Sequence, residues 1–427
     1  MARFLITVWP LSGHVYPNLA LATALRDRGH TVAFYTGARA RAAIEREGFT
    51  YLPFKALDGE ILEEIMAPGY LSAPTPWHRV RRQKAIYREW LVGTLPGQLV
   101  DLEEILRTWQ PDAIICDPTM WGPILVLHEA FQAPVAVFSY TVGCLLPGRD
   151  VPPPGPGLPP PRNARDRLRA AAYGIAQHLA TADIRRAANE IRRRYGLPPL
   201  RVTVTEHAGT MPLYLVTSVP ELDYNRDDLP PNVHYVGPCL WSRPASEPPT
   251  WMDELPSDQP WVHVTEGTLH NQRPLLLWAA AQGLADLPVQ VIMATGTHRR
   301  PEDLGLGPLA PNIHVKAWVS YPHLLPRTAV VVTAGGAGTV LATLQAGVPM
   351  VVVPTEWDKP ENAQRVVESG AGLRLNPKRC TPTRLRSAVE RILRDPSFRE
   401  NAQRLARRFT QYGGPRRAAQ LLEEMVI

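Results

Sequence analysis

The chain has 427 residues, 45% hydrophobic and 20% charged, a balance that excludes a disordered or fibrous protein and a length that suits two domains of about 200 residues. Its formal net charge of +6 and pI near 9.2 favour anionic ligands, but bases and acids are interspersed, which argues against nucleic acid as a partner. Cys116, Cys144, Cys239 and Cys380 lie far apart without a CxxC pair, so neither a metal site nor a disulfide framework is expected, and a reduced cytoplasm fits best.

Arg3 to Trp9 reads as a buried strand, Pro10 to Tyr16 as a turn holding Gly13 and His14, and Pro17 as a residue close to the first position of a helix. Met1 to Ser12 leads into that turn instead of a small-residue cleavage site, so a leader is not expected. Leu19, Leu21, Ala22 and Leu25 give the helix its apolar residues, Gly29 stops it, and Thr31 to Tyr35 is the next strand. Strand, glycine-containing turn, helix and strand form the βαβ unit of a doubly wound parallel sheet. Ala56 to Gly97 loosens into helical pieces with Tyr70, Trp77, His78, Tyr87 and Trp90, the kind of irregular region that lines a pocket or packs locally. Ala113 to Asp117 returns as a strand ending in an acid, with Trp121 beyond it, and Pro134 to Ser139 is another strand, followed by Tyr140. By residue type alone His14 is structural or functional, and Asp117 a helix cap or a site residue.

Pro147 to Arg162 is too rich in proline for regular structure and reads as a surface excursion. Arg165 to Tyr195 is helical with its charges on a solvated face. Tyr214 to Thr217 and His234 to Val236 close the first domain. Residues 240–259, crowded with Pro, Ser and Trp, read as an interdomain linker. Trp261 to Thr265 opens the second domain, with Gly267-Thr268 at its turn; Val289 to Thr295 and Ile313 to Lys316 follow, and Trp318 stands at a strand end as a flat stacking platform.

Val330 to Arg365 carries the strongest signal: a buried strand to Thr333, glycines at 335, 336 and 338, a helix from Thr339 to Gln345, a second buried strand from Met350 to Val353, then an acidic loop opening another helix. Continuous β-branched runs mark strands covered on both faces. Glycines before a helix leave free amides at its N-terminus, a cradle for a diphosphate. The uncharged span from Thr328 to Thr355 is broken by glycines and prolines, so it reads as α/β core and not as a membrane span.

The pattern T-x-G-G-x-G-T, A-G-V-P-M and P-x-x-x-D-K-P-x-N-A, with G-H-x-x-P-x-L-x-L-A near the start, resembles family 1 nucleotide-sugar glycosyltransferases of the bacterial natural-product type. The resemblance implies the GT-B fold, two Rossmann-like doubly wound α/β domains across a cleft. Residues 1–239 would bind acceptor and 260–412 the nucleotide sugar, with 413–427 a helix returning to the first domain. It implies His14 as catalytic base oriented by Asp117. It also implies donor contacts from Gly267, Thr268, Trp318, Thr333, Gly335, Gly336, Gly338, Thr339, Asp358 and Lys359. Trp77, Tyr87, Trp121 and Tyr140 are expected to line the acceptor pocket. The implied reaction inverts the sugar and moves a hexose from a dTDP- or UDP-sugar to a hydrophobic acceptor, with no cofactor and no metal, in a monomer or homodimer.

Three residues depart from the family pattern. Ala334 stands where a histidine usually meets the diphosphate, Tyr321 replaces a glutamine after the stacking tryptophan, and Ala342 replaces a glutamate that grips ribose hydroxyls. Thr333, Lys359 or His323 could substitute for the histidine, and the lost glutamate favours a deoxyribonucleotide. A non-catalytic binding protein on the same fold and a sugar-nucleotide epimerase remain as alternatives. A dinucleotide-dependent oxidoreductase is disfavoured, because Pro10 to His14 is no fingerprint turn and Tyr35-Thr36 supplies no acid.

Overall fold

The computed structural model describes residues 1–59, 61–63, 76–242, 248–267, 274–296 and 299–426. Two parallel sheets organise them. The first has seven strands, β1 (Arg3–Thr7), β2 (Thr31–Thr36), β3 (Thr50–Pro53), β4 (Ala113–Cys116), β5 (Val135–Ser139), β6 (Leu213–Val216) and β7 (Val233–Tyr235), in the order β3-β2-β1-β4-β5-β6-β7. The second has six, β8 (Trp261–Thr265), β9 (Gln290–Ala294), β10 (Ile313–Lys316), β11 (Thr328–Thr333), β12 (Met350–Val352) and β13 (Gly372–Arg374), in the order β10-β9-β8-β11-β12-β13.

The β-branched runs are buried because both faces of each sheet are covered. Along β1, Phe4 and Ile6 enter one core with the helix Ser12–Arg26, while Leu5 enters the other with the helix Leu95–Thr108. Along β11, Val330 and Val332 point to one side and Val331 to the opposite one. The strand order reverses between β1 and β4 and again between β8 and β11. Crevices form at the carboxyl ends of such switch points, and ligands of open α/β sheets bind there.

Several local expectations need correction. The first helix starts at Ser12, not near Pro17, so His14 lies on its first turn. Pro17 therefore lies inside it, with no amide to offer the Gly13 carbonyl, while the Asn18 side chain donates to the carbonyl of His14 at 2.9 Å. The helical stretch after residue 163 is two helices, Ala164–Ala180 and Ala182–Arg194. The solvated face of the first carries Leu168, Ile175 and Leu179 as well as charges. The proline-rich loop is not a free excursion. Its Gly155 amide donates to Glu361, its Pro156 and Gly157 carbonyls accept from Arg374, and Arg162 pairs with Glu368 at 2.8 Å.

The two sheets are joined by a buried ion pair. Arg365, on the helix Lys359–Glu368 beyond β12, reaches Asp223 of the first sheet's loops at 2.9 Å, and both side chains are nearly inaccessible. Asp223 also accepts from the Cys144 amide at 2.6 Å and the Tyr235 hydroxyl at 2.7 Å, while the guanidinium lies 4.5 Å from the Tyr224 ring centre. At the far end, the helix Pro415–Val426 returns to the first domain. Ala418, Ala419 and Leu422 pack with Leu21 and Leu25 of the first helix, and Glu423 pairs with His30 at 2.6 Å.

Removing one partner of a buried pair strands the other charge, so Arg365→Leu should destabilise the protein by about 3–5 kcal/mol. The measurement is the shift of the denaturant midpoint, with a much smaller loss expected for Arg365→Leu combined with Asp223→Leu.

Candidate active site

Two adjacent strands of the first sheet place the histidine and the aspartate. His14 follows β1, and Asp117 follows β4 directly, its amide continuing the ladder by donating to the Thr7 carbonyl at 3.0 Å. His14 Nδ1 and Asp117 Oδ2 are 2.7 Å apart, with the histidine side chain 19% exposed and the aspartate fully covered. The other carboxylate oxygen accepts from the Thr119 amide at 2.8 Å and the Thr119 hydroxyl at 2.7 Å. Burial would raise the pKa of Asp117, but the charge facing it on His14 and these hydrogen bonds hold it below the ordinary carboxylate value. An imidazole with Nδ1 tied to a carboxylate presents Nε2 as a base.

Across the cleft, β8 and β11 end in the same device. Thr265 Oγ1 accepts the Gly267 amide at 3.3 Å and Thr333 Oγ1 accepts the Gly335 amide at 3.2 Å. Both glycines have positive φ, +79° and +90°. Thr333 is therefore buried inside the turn that it closes. A Cβ at Gly335 would meet Val352 Cγ1 at 2.7 Å, whereas one at Gly336 or Gly338 would meet nothing within 4 Å. The helix that follows runs Ala337–Gln345, so Gly338 and Thr339 stand in its first turn beside open space. The first amides of a helix have no intrahelical partner and can hold an anion.

Asn362 ties this turn to the next loop, donating to the Gly335 carbonyl at 2.9 Å and to Asp358 Oδ2 at 2.8 Å. Lys359 lies half-buried above the turn and donates to Thr355 Oγ1 at 3.0 Å. Burial lowers its pKa, while Asp358, Glu356 and Glu266 act to keep it charged. Glu266 accepts from the Leu276 amide at 2.8 Å and pairs with Arg299 at 3.0 Å; burial raises its pKa. Trp318 is 52% exposed beyond β10, as its expected platform role requires. Ala334 is buried in the core behind the turn, and Tyr321 reaches Thr339 Oγ1 at 3.3 Å with its ring edge-on to His263.

The residues expected at the acceptor pocket divide. Thr268, expected at the donor turn, lies outside the described residues, as does the side chain of Trp77. Tyr87 does stand at the cleft, 5.5 Å from the ring of Trp357 and stacked on Trp90. Burial raises its pKa to about 12. Trp121 is instead turned into the core, its indole N–H donating to the Pro118 carbonyl at 3.2 Å. Tyr140 is buried too, and its hydroxyl is engaged by Asp117 and His14 and not by a pocket wall. Trp357, Asn362 and Glu266 were not legible as site residues. Trp357 takes a positive φ of 62°, which brings its indole against Tyr87 and Trp90, and no sequence pattern marks that conformation in a tryptophan.

Residues 12–108 match the glycosyltransferase family 28 N-terminal domain, and residues 280–425 match the C-terminal domain of the erythromycin biosynthesis protein CIII-like family. The 4'-demethylrebeccamycin synthase of Lentzea aerocolonigenes is 34% identical over 430 residues, covering all of both chains. The chain belongs to the natural-product glycosyltransferases. The demethyllactenocin mycarosyltransferase of Streptomyces fradiae is 27% identical, covering 100% of this chain and 87% of its own. The calicheamicin glycosyltransferase CalG4 superposes with a TM-score of 0.78 at 24% identity, over 100% of this chain and 98% of its own, and has the same GT-B fold.

In this glycosyltransferase, no helix of the described residues is long and apolar enough to cross a membrane. Among those residues no group of three or more His, Cys, Asp or Glu side chains is gathered as for a metal ion. The two glycines of the turn can be separated by experiment. Gly335→Ala forces both a strained φ and a clash, and should lower the melting temperature and abolish nucleotide binding. Gly338→Ala, in open space on a helix, should keep the melting temperature yet weaken nucleoside diphosphate binding about tenfold or more, measured by calorimetry.

Proposed function

We propose that this glycosyltransferase moves a hexose from a dTDP- or UDP-sugar to a hydroxyl of a hydrophobic small molecule, such as a polyketide, terpenoid or flavonoid-like aglycone, inverting the anomeric carbon. The observation that carries the reading is the His14–Asp117 pair at one sheet's switch point, set opposite the glycine turn and Asp358 loop of the other. The helix Ser12–Arg26 approaches the helix Ala337–Gln345 across the cleft, and the charge of Asp358 is felt at Tyr140 beside the pair. Both observations support reading the base and the donor turn as parts of one site.

In the proposed step, His14 Nε2 takes the proton of the acceptor hydroxyl as its oxygen attacks the anomeric carbon. The bond to the diphosphate breaks, and its electron pair leaves on the nucleoside diphosphate. Asp117 stabilises the imidazolium that results. The amides at Gly336 to Thr339, the helix dipole and Lys359 receive the leaving charge. Lys359 stands in for the histidine absent at Ala334, which is itself buried. A single displacement without an enzyme nucleophile inverts the centre.

His14→Ala should lower turnover about 10²–10⁴-fold with donor affinity nearly intact. Asp117→Asn should lower it similarly, and the double variant should lose little more, because the pair acts as a unit. Steady-state kinetics with a dTDP-sugar and an aromatic aglycone read this, and additive losses would break the pairing.

The donor reading rests on Ala342, which cannot accept a hydrogen bond from a ribose 2′-hydroxyl. dTDP should bind at least as tightly as UDP. Ala342→Glu should shift the preference toward UDP by about 1–2 kcal/mol through one restored hydrogen bond. Calorimetry of both nucleotides against both proteins measures it, and a native preference for UDP that the substitution leaves unchanged would assign the ribose to another residue.

A further inference from the structure

Three neighbouring strands deliver one residue each beyond their carboxyl ends: Asp117 and Tyr140 directly after β4 and β5, and His14 on the first turn of the helix that follows β1. We infer that Tyr140 is a positioning residue for the base, a third member of the cluster that sets both the tautomer of His14 and the strength of Asp117's hold on it. This rests on the reading of His14 as the base.

The geometry is specific. The Tyr140 hydroxyl donates to Asp117 Oδ2 at 2.7 Å, the same oxygen that takes His14 Nδ1, and it also lies within hydrogen-bonding reach of Nδ1. The two rings are held with centroids 4.8 Å apart at 51°. Tyr140 is buried, so its single hydroxyl proton has to be used here.

Two arrangements compete for that proton. Directed at Asp117 Oδ2, it leaves Nδ1 to keep its own proton, and Nε2 is the free base. Directed at Nδ1, it would force the proton of a neutral imidazole onto Nε2, where it blocks catalysis. Asp117 decides between them, because an ionised carboxylate is the stronger acceptor. Tyr140 cannot switch roles by ionising: burial and the Asp117 charge push its pKa well above the ordinary phenol value, so it stays a donor.

Tyr140 has a second effect. With Thr119 supplying two hydrogen bonds to Oδ1, the phenol completes four donors on one carboxylate. Each donor draws on the negative charge that would otherwise stabilise the imidazolium. Tyr140 thus tempers the hold of Asp117 on the imidazolium. The titratable groups around the cluster are His14 from the first helix, Asp117 beyond β4, and Asp358 across the cleft; Cys116, next to Asp117, is kept neutral by burial.

Tyr140→Phe removes the donor and keeps the ring. With Asp117's charge undiluted, the imidazolium is favoured, and the midpoint of His14 should rise by about half to one pH unit. It is followed by nuclear magnetic resonance titration of the ring in the free enzyme. The acidic limb of kcat/KM should rise by the same amount, with less than a tenfold loss on the plateau and unchanged nucleoside diphosphate affinity. A 3-fluorotyrosine at position 140, a better donor of the same shape, should move the midpoint down, and covers the case in which the phenylalanine variant fails to fold. If His14 titrates unchanged in either variant that folds, Tyr140 only packs, and the inference is overturned even where activity falls. If the ring's midpoint shifts while kcat/KM carries no matching limb, Tyr140 keeps its role and it is the base assignment of His14 that fails.

Discussion

A carboxylate without solvent has to be satisfied from every side, and Asp117 organises the first domain's part of the site around that demand. Its four donors come from the end of β1, from its own turn and from the end of β5. A buried charge left partly unpaired is costly, so these groups hold one another in a single geometry. The histidine that would act as base is therefore fixed by the same requirement that makes the aspartate stable. The parallel sheet makes this possible, since it ends three neighbouring strands at one edge.

The donor side uses a different economy. There the backbone would supply the binding groups, through two threonine-closed glycine turns and a helix start beside open space, and the side chains mostly hold those turns in place. Asn362 joins one turn to the Asp358 loop, and one helical turn beyond, Arg365 crosses to Asp223 in the other domain. The loop expected to grip the sugar is thus anchored to the domain that carries His14. The aromatic contact of Trp357 with Tyr87 and Trp90 makes the same connection between the domains, from the Asp358 loop to the segment around Tyr87.

The strands buried on both faces were readable because their β-branched runs are continuous: the Val330 to Thr333 and Met350 to Val353 segments each correspond to a strand of the second sheet. β3 and β13 were not readable. They are edge strands of four and three residues, Thr-Tyr-Leu-Pro and Gly-Leu-Arg, too short and too exposed to carry a pattern. The first helix was placed too late because Pro17 usually marks a helix start, and here it stands inside a helix that begins at Ser12. The proline-rich segment was rightly denied regular structure, but its bonds to Glu361 and Arg374 run between residues some two hundred positions apart, which composition cannot register.

The sequence by itself determined the α/β class and the glycine turn with its acidic loop, because each rests on local periodicity or on spacing within one stretch. Only the tertiary structure decided what Tyr140 and Trp121 do. Both are aromatic residues near a strand end, and either suits a pocket wall or a core. What separates them is whether a buried polar atom from another strand needs their hydrogen bond. For Tyr140 that atom is Asp117 Oδ2, brought to 2.7 Å by strand order; for Trp121 the partner is its own turn. Strand order is a property of the folded sheet, and no spacing along the chain encodes it.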